Sequence, residues 1–322
     1  MNRLLIGRGT DPWENLALEE YLFDTQEAGA TLYLWQNQNT VVIGRNQNAW
    51  KECRAELLER DGGRLARRSS GGGAVFHDLG NLNFTFLLPR EDYDLTRQFS
   101  VIQRALSSFG VEAIASGRND LVLTTGEKFS GNAFRFAGNT AMQHGTLLVD
   151  VDMDKLSRYL QPSKLKLQAK GVDSVRSRVK NLHEVCPDIR VDSLGPALET
   201  AFQQEYGEAE LWKLDDAGKM AVETIYEKNA SWDWRYGKTP RFDVSLETRF
   251  PWGEVQILLS CREGKVASVC FYTDCMDETL AKRAEDALLG AQYQTGDIAG
   301  RLWCLGGEQG ENLSNWIAEQ TL

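Results

Sequence analysis

Between Arg67 and Asn83 the chain reads RRSSGGGAVFHDLGNLN. Two arginines run into two serines and three consecutive glycines, then the apolar triplet Ala74-Val75-Phe76, a His77-Asp78 pair and a second turn at Gly80-Asn81. Consecutive glycines are costly to order, because glycine loses more backbone freedom on folding than any other residue. Bare backbone is useful where a ligand must approach the main chain, and Arg68 adds a permanent planar cation suited to carboxylate or phosphate. The run reads as an anion-binding loop between strands; a glycine triplet by itself would read first as a bulge or hairpin turn beside two solvated arginines. Lys128 is the second candidate. It lies between the polar turn Thr125-Gly126-Glu127 and the small-residue step Ser130-Gly131. An ammonium beside a glycine can reach a carboxylate and a phosphate together, whereas an isolated lysine is more simply a surface charge.

The glycine-rich run is followed in order by Gly117-Arg118-Asn119-Asp120-Leu121, by KFSGNA from Lys128 to Ala133, by HGTLL from His144 to Leu148, and by AKGVDSVRSRVKNL from Ala169 to Leu182. This succession resembles the signature of the lipoate–protein ligase A family, enzymes that activate lipoic acid with ATP and attach it to a lysine. One departure is Asn132, where family members often carry serine or threonine; all are small polar hydrogen-bonders.

The resemblance implies ATP, Mg²⁺ and lipoate as cofactors and substrates, with lipoyl-AMP as the intermediate. It makes Lys128 the catalytic residue, the cation where a carboxylate meets the α-phosphate of ATP and the two anions repel. It implies nucleotide contacts from Arg68, from Gly73, Ala74, Val75 and Phe76, and from Asp120, Lys128 and Arg135. Its lipoate-binding set is Ser70, Gly71, Gly72, His77, Asn81, Lys128, His144 and Gly145. Asp120 would help hold Mg²⁺, which takes one or two carboxylates plus phosphate oxygens, although an Asx-turn entering a strand accounts for it as well. Arg135 stands between contacting the adenylate phosphate and pairing with an acid. His77 and His144 suit pocket-shaping hydrogen bonds better than a metal site. The Ala169–Asn181 stretch resembles a loop that orders over the intermediate and excludes water. The implied acceptors are lipoyl domains of 2-oxoacid dehydrogenases and the glycine-cleavage H protein. Two rivals remain: a transferase that uses preformed lipoyl-AMP, and a non-catalytic paralogue that binds lipoate or partner domains.

Other chemistries lack their residues. There is no GxxxxGK[ST] loop, the Gly71-x-Gly73 fragment fails a dinucleotide fingerprint at its third glycine, and there is no G-x-S-x-G and no evident Ser-His-Asp set. Six cysteines are scattered without a C-x-x-C pair and lie outside the glycine-rich, GRND, KFSG and HGTLL blocks. That counts against a zinc site and against the related transferases that use an acyl-cysteine. A net charge of −10 without a basic tract argues against a general nucleic-acid surface. Acidic acceptor domains would then need a local basic patch, for which Lys164, Lys166, Lys170, Arg176, Arg178 and Lys180 are the candidates, equally readable as a solvated face. No stretch reaches the ~20 apolar residues of a membrane helix. The N-terminus is too short in apolar residues for a secretory signal, so a cytoplasmic monomer with reduced thiols is expected.

The elements that must position these residues follow from pattern. With 322 residues and 42% hydrophobic content, the chain can form one large domain and a smaller one. Arg3 to Gly7 reads as a strand, and Asp11-Pro12-Trp13-Glu14 as a capped helix start. Thr31–Gln36 and Thr40–Gly44 read as paired strands, Lys51–Arg60 as a helix, Asn81–Leu88 as a central strand and Thr96–Phe109 as a helix. A strand at Leu121–Thr124 precedes a hairpin, Phe129–Ala137 with Thr140–Val149, turning at Gly138-Asn139. Helices dominate from Asp154 to Tyr226. Around Asn229–Pro240 an aromatic, turn-rich linker precedes three antiparallel strands and the helices Glu278–Leu289 and Glu311–Glu319. The order implies an α+β fold with a mixed sheet, by resemblance of the biotin/lipoate ligase type. It divides into a catalytic domain at 1–240 and a small α/β accessory domain at 241–322.

Overall fold

The computed structural model describes residues 1–117, 119–161, 179–236, 244–262 and 264–320. Strand β1 (Asn2–Ile6) leads into helix α1 (Pro12–Asp24). Its start is set by Asp11, whose carboxylate accepts from Trp13 N at 2.9 Å and Glu14 N at 3.4 Å, with Pro12 in the first helical position. Strands β2 (Thr31–Trp35) and β3 (Thr40–Ile43), short helices α2 (Ala49–Glu52) and α3 (Ala55–Arg60), and strands β4 (Arg64–Arg67) and β5 (Val75–His77) follow. Then come β6 (Asn81–Pro89), α4 (Leu95–Ser107), β7 (Ala113–Ser116), β8 (Asp120–Leu123), β9 (Lys128–Ala137), β10 (Thr140–Leu148) and α5 (Met153–Tyr159). The remainder of the large body is α6 (Val191–Tyr206), β11 (Ala209–Leu211), α7 (Asp216–Ala230) and α8 (Trp232–Arg235).

Eight strands form one mixed sheet in the order β11-β1-β2-β6-β10-β9-β8-β7, with parallel pairing only where β1 meets β11 and β2. A second, three-stranded sheet runs β4-β3-β5. The expected β2–β3 pairing does not occur. β2 lies between β1 and β6, while β3 pairs parallel with β4 and antiparallel with β5 in the other sheet. The turn between them, with Asn39 at φ +45°, carries the chain from one sheet to the other. The expected hairpin is present, with β9 and β10 antiparallel around Gly138-Asn139. The expected 51–60 helix is two short helices, α2 and α3.

One face of the large sheet packs against α4 and α6, with Leu34, Phe84, Phe86, Ile102, Leu147 and Phe202 in a single apolar cluster. The other face packs on α1, and the small sheet closes over it through Val42 and Ala66. Each fully buried leucine or phenylalanine contributes roughly 1.5–3 kcal/mol. After residue 243 a separate core forms between an antiparallel sheet, β12 (Val244–Phe250), β13 (Gly253–Arg262) and β14 (Lys265–Thr273), and helices α9 (Leu280–Leu288), α10 (Thr295–Trp303) and α11 (Gly307–Ala318). Helix α10 had no counterpart in the sequence pattern. This smaller unit docks on the larger: Thr273 N donates to Asn46 O at 2.8 Å, Asn46 Nδ2 to Glu278 O at 2.9 Å, and Gly72 N to Cys275 O at 3.1 Å. Among the described residues, no helix is long and apolar enough to cross a membrane.

Phe202 is fully buried, tilted against Phe86 at 6.2 Å and stacked on Tyr206 at 5.0 Å. Phe202→Ala is expected to destabilise the large body by about 3–5 kcal/mol. A shifted urea midpoint at unchanged slope would show this; an unmoved midpoint would mean that α6 does not support the sheet.

Candidate functional site

Alternation along β6 divides the large sheet into two chemistries. Leu82, Phe84 and Phe86 enter the α4/α6 core, while Asn81, Asn83 and Thr85 share the opposite face. Pairing across the strands extends that second face. Trp35 is opposite Asn83 and Asn83 opposite Thr146; Tyr33 is opposite Thr85 and Thr85 opposite His144, which in turn faces Ala133. Above this face lies a cavity of about 160 Å³, bounded by Leu16, Trp35 and Val42 on its apolar sides and by Gly73, Ala74 and Val75 of the glycine-rich run. Its polar lining includes Arg68, His77, Asn83, Lys128 and His144, and Met276 of the accessory unit closes one side.

Lys128 opens β9 and stands beside the end of β8, so its ammonium meets Asp120 Oδ1 at 2.7 Å with both side chains about one-third exposed. The neighbouring glycine leaves room for the lysine's present path. A β-carbon on Gly131 would lie 3.0 Å from Lys128 Nζ and 3.1 Å from its Cε, so the lysine lies across bare backbone. Two asparagines stitch the supporting turn: Asn132 Nδ2 donates to Asn119 O at 3.0 Å, and Asn119 Nδ2 to Asn132 O at 2.9 Å. Gln143 Nε2 donates to Asn132 Oδ1 at 2.9 Å, which gives the asparagine standing where the family often has serine or threonine a full set of partners.

Arg68 is buried, and its donors turn back on the loop that it precedes. Nε donates to Ser70 Oγ and Gly71 O, both at 3.1 Å, and Nη2 to Gly71 O at 2.7 Å and Gly73 O at 2.8 Å. Burial lowers its pKa to about 10, which leaves it cationic at neutral pH. Ser70 Oγ, which accepts from Arg68, lies within hydrogen-bond distance of His144 Nε2 at 2.6 Å, and His144 Nδ1 is bonded to Glu19 Oε1 at 2.8 Å. Thr85 also donates to Glu19 Oε1, at 2.6 Å, and Trp35 Nε1 to Thr85 Oγ1 at 3.0 Å. A serine–histidine–carboxylate series therefore exists where the sequence showed none, because its members lie on α1, the glycine loop and β10. Ser70 is fully buried and already bonded to Arg68, so its hydroxyl is structural rather than nucleophilic.

A second chain sets the state of His77. Tyr33 OH donates to Asn15 Oδ1 at 3.0 Å, and Asn15 Nδ2 donates to Gln36 O at 2.8 Å and Asn37 Oδ1 at 3.0 Å. Asn37 must then present its amide nitrogen to His77 Nδ1, at 3.1 Å. His77 Nδ1 is an acceptor, and the ring proton resides on Nε2. Burial, aided by Arg68 and His144, pushes its pKa down to about 3, so the ring is neutral.

The expected site residues divide accordingly. Arg68, Gly72, Gly73, Ala74, Val75, His77, Lys128, His144 and Gly145 line the cavity. Asp120 is carried beside it by Lys128. Ser70 sits behind the wall in the Arg68–His144 chain, Phe76 packs on Tyr159 at 5.6 Å, and Asn81 Nδ2 supports Asn83 Oδ1 at 2.9 Å. Gly71 presses on the accessory unit, where a β-carbon would fall 2.5 Å from Cys275 O. Arg135 lies outside the cavity lining, over the Phe23 ring at 4.1 Å and 3.7 Å from Glu278, in keeping with the acid-pairing alternative. Sequence reasoning missed Glu19, Trp35, Asn83 and Met276. Of these only Asn83 left a signal: the N-L-N-F-T-F alternation places polar side chains on one face of a strand buried on both. Arg118 and most of the Ala169–Asn181 stretch lie outside the described residues, as do Lys164, Lys166, Lys170, Arg176 and Arg178 of the basic patch. Lys180, its last member, pairs with Glu127 at 3.8 Å, and its backbone N–H donates to Lys128 O at 2.9 Å.

Residues 11–203 match the family described as lipoyl protein ligase A/B catalytic domain, and residues 239–305 match the bacterial lipoate protein ligase C-terminus. Lipoate-protein ligase A of Psychrobacter cryohalolentis is 44% identical over 306 residues, covering 92% of this chain and 90% of its own length. P. falciparum LipL1, solved in complex with lipoate, superimposes with a TM-score of 0.87 at 28% identity, covering 99% of this chain and 100% of that one. A lipoate-protein ligase A bound with ATP gives a TM-score of 0.65 at 25% identity, covering 73% of this chain and 98% of that one.

The neutral His77 has a consequence for acid stability. In the unfolded chain a histidine titrates near 6.5, and the folded value lies well below that. The contribution of His77 is therefore complete above pH 6.5 and is lost as pH falls toward 3, with a slope of up to about 1.4 kcal/mol per pH unit. His77→Gln keeps an acceptor and a donor without a titration. Urea unfolding from pH 7 to pH 4 should give a shallower acid limb in this variant, and matching limbs would mean that His77 protonates freely in the folded protein.

Proposed function

The chain belongs to the lipoyl protein ligase A/B family, and on that premise we propose that it activates lipoate with ATP and transfers the lipoyl group to a specific lysine of lipoyl-accepting domains. The observation that carries this reading is Lys128, a partly exposed ammonium laid over Gly131 at the edge of a largely apolar cavity. An acyl chain suits such a cavity, and a carboxylate suits its cation.

In the first step a carboxylate oxygen of lipoate attacks the α-phosphorus of ATP, and the bond to the departing pyrophosphate breaks. The two reactants are both anionic, and their repulsion grows as water is excluded. Lys128 offsets it by exchanging Asp120 for the incoming oxygens. Asp120, released from the lysine, would hold a Mg²⁺ carried in on the triphosphate. A single carboxylate is the kind of protein share that Mg²⁺ bound to phosphate oxygens takes. Gly73, Ala74 and Val75, which line the cavity, face the nucleotide in this reading.

In the second step the ε-amine of an acceptor lysine attacks the acyl carbonyl, AMP leaves with the electron pair of the broken C–O bond, and the surplus amine proton passes to solvent. The end of the Ala169–Asn181 stretch, held to the strand at Lys128 through Lys180, is suited to shielding the intermediate from water. The acceptors are the lipoyl domains of 2-oxoacid dehydrogenases and the glycine-cleavage H protein, and the enzyme works as a cytoplasmic monomer. Residues 1–240 carry the chemistry, and residues 241–322 act as an accessory domain that covers the glycine loop.

Lipoate-dependent ATP–pyrophosphate exchange without acceptor tests this reading. Wild type should exchange, and Lys128→Ala should lose at least about a hundredfold, the scale of removing one transition-state charge contact. Transfer from synthetic lipoyl-AMP without exchange would leave a transferase, and silence in both assays would remove the catalytic reading altogether.

A further inference from the structure

Two polar groups at the cavity remain without partners among the described residues. Asn83 directs Oδ1 to Asn81 Nδ2, which leaves its amide N–H groups unpaired, and His77 Nε2 is likewise unpaired. Both side chains line the cavity and are almost wholly buried, at 1% and 3% exposure, so bulk water does not serve them. The Asn15–Asn37 chain fixes the ring proton of His77 on Nε2. With Asn83 Oδ1 turned to Asn81, both groups are donors, and both line a cavity whose apolar lining includes Trp35, Leu16 and Val42. Buried donors are ordinarily satisfied, so a pair left open at a cavity indicates a ligand that accepts.

Their position selects the part of the ligand. Gly131, over which Lys128 lies, donates its N–H to Thr146 Oγ1 at 3.4 Å, and Thr146 faces Asn83 on β6. Two inter-strand steps of about 4.8 Å put Asn83 roughly 10 Å from Gly131. A carboxylate at Lys128 with a pentanoate tail laid across the strands brings its far end to Asn83 and His77. On the proposed reading that end is the dithiolane ring, whose sulfurs are polarisable acceptors. We propose that Asn83 and His77 form a donor pair that recognises the ring sulfurs, so that the site selects a cyclic disulfide over a saturated group of the same shape. This inference rests on the proposed lipoate specificity and extends it to the atoms that distinguish lipoate from other acyl chains. A hydrocarbon in the same place would leave both donors buried and unpaired, which is the larger penalty in any hydrogen-bond exchange.

Calorimetric titration of the full chain with lipoate and with 5-cyclopentylpentanoate, its all-carbon counterpart, tests the idea without ATP. Wild type should bind lipoate about tenfold more tightly, the scale of a single net hydrogen bond. Asn83→Leu should bring the two ligands to within about twofold by weakening lipoate while sparing the hydrocarbon; a merely structural role would weaken both alike. Equal wild-type affinities would overturn the proposal, and that comparison needs no variant to fold. Discrimination without pyrophosphate exchange would uphold the donor pair while the activation reading fell. Exchange without discrimination would do the reverse, and no binding of lipoate would overturn both.

Discussion

A buried arginine and a buried carboxyl group joined through a serine and a histidine hold the site together. Arg68 is 6% exposed and Glu19 1%. Neither charge could remain in a folded interior without compensation, because stripping an ion of water costs several kcal/mol even after the protein relaxes. Ser70 and His144 connect them by hydrogen bonds, and Thr85 and Trp35 join at the carboxylate end. Helix α1, the glycine loop and the two central strands β6 and β10 are thereby tied at side-chain level. Shifting any one of them would leave a buried group unpaired.

The shape of the glycine loop follows from being held on two sides. From below, the Arg68 guanidinium gathers the carbonyls of Gly71 and Gly73. From the other side, the accessory unit presents Cys275 O to Gly72 N and brings Met276 to the cavity. Gly72 at φ +88° has a conformation that residues with a β-carbon rarely adopt, and such an atom would meet Arg68 Nη2 at 2.9 Å. Gly71 and Gly72 are thus requirements of close approach by a second unit and by an arginine, whereas Gly73 has open space beside it and contributes its carbonyl to Arg68. In the run first read as an anion-binding loop, the arginine gathers the loop's own carbonyls, and both Arg68 and Lys128 line the cavity.

Much of the frame was legible in local pattern. Asp11-Pro12 announced α1, Gly138-Asn139 announced the β9–β10 hairpin, and Asn81–Leu88 read as a central strand. These features depend on residues within one turn or one strand, where capping and alternation act directly. The β2–β3 assignment failed for a corresponding reason. Both segments have strand character, but alternation says nothing of which neighbour a strand will find, and the partners of β3 come from Arg64 onward. Arg135 was ambiguous in the sequence because its surroundings, Phe23 and Glu278, come from opposite ends of the chain.

The sequence by itself determined the family signature, the glycine-rich run, Lys128 beside its glycine step, and the alternation that gives β6 a polar face. Each is a property of residue types at short spacing. Only the tertiary structure decided that Arg68 and Lys128 come to one cavity, that Ser70, His144 and Glu19 meet, and that His77 and Asn83 face that cavity with donors unpaired. Those outcomes depend on which groups are buried together, and burial is settled when distant strands pair and a second unit docks. The protonation of His77 illustrates this: its imidazole is an ordinary titrating group in the chain, and Asn15 and Asn37 turn it into a neutral donor only after folding.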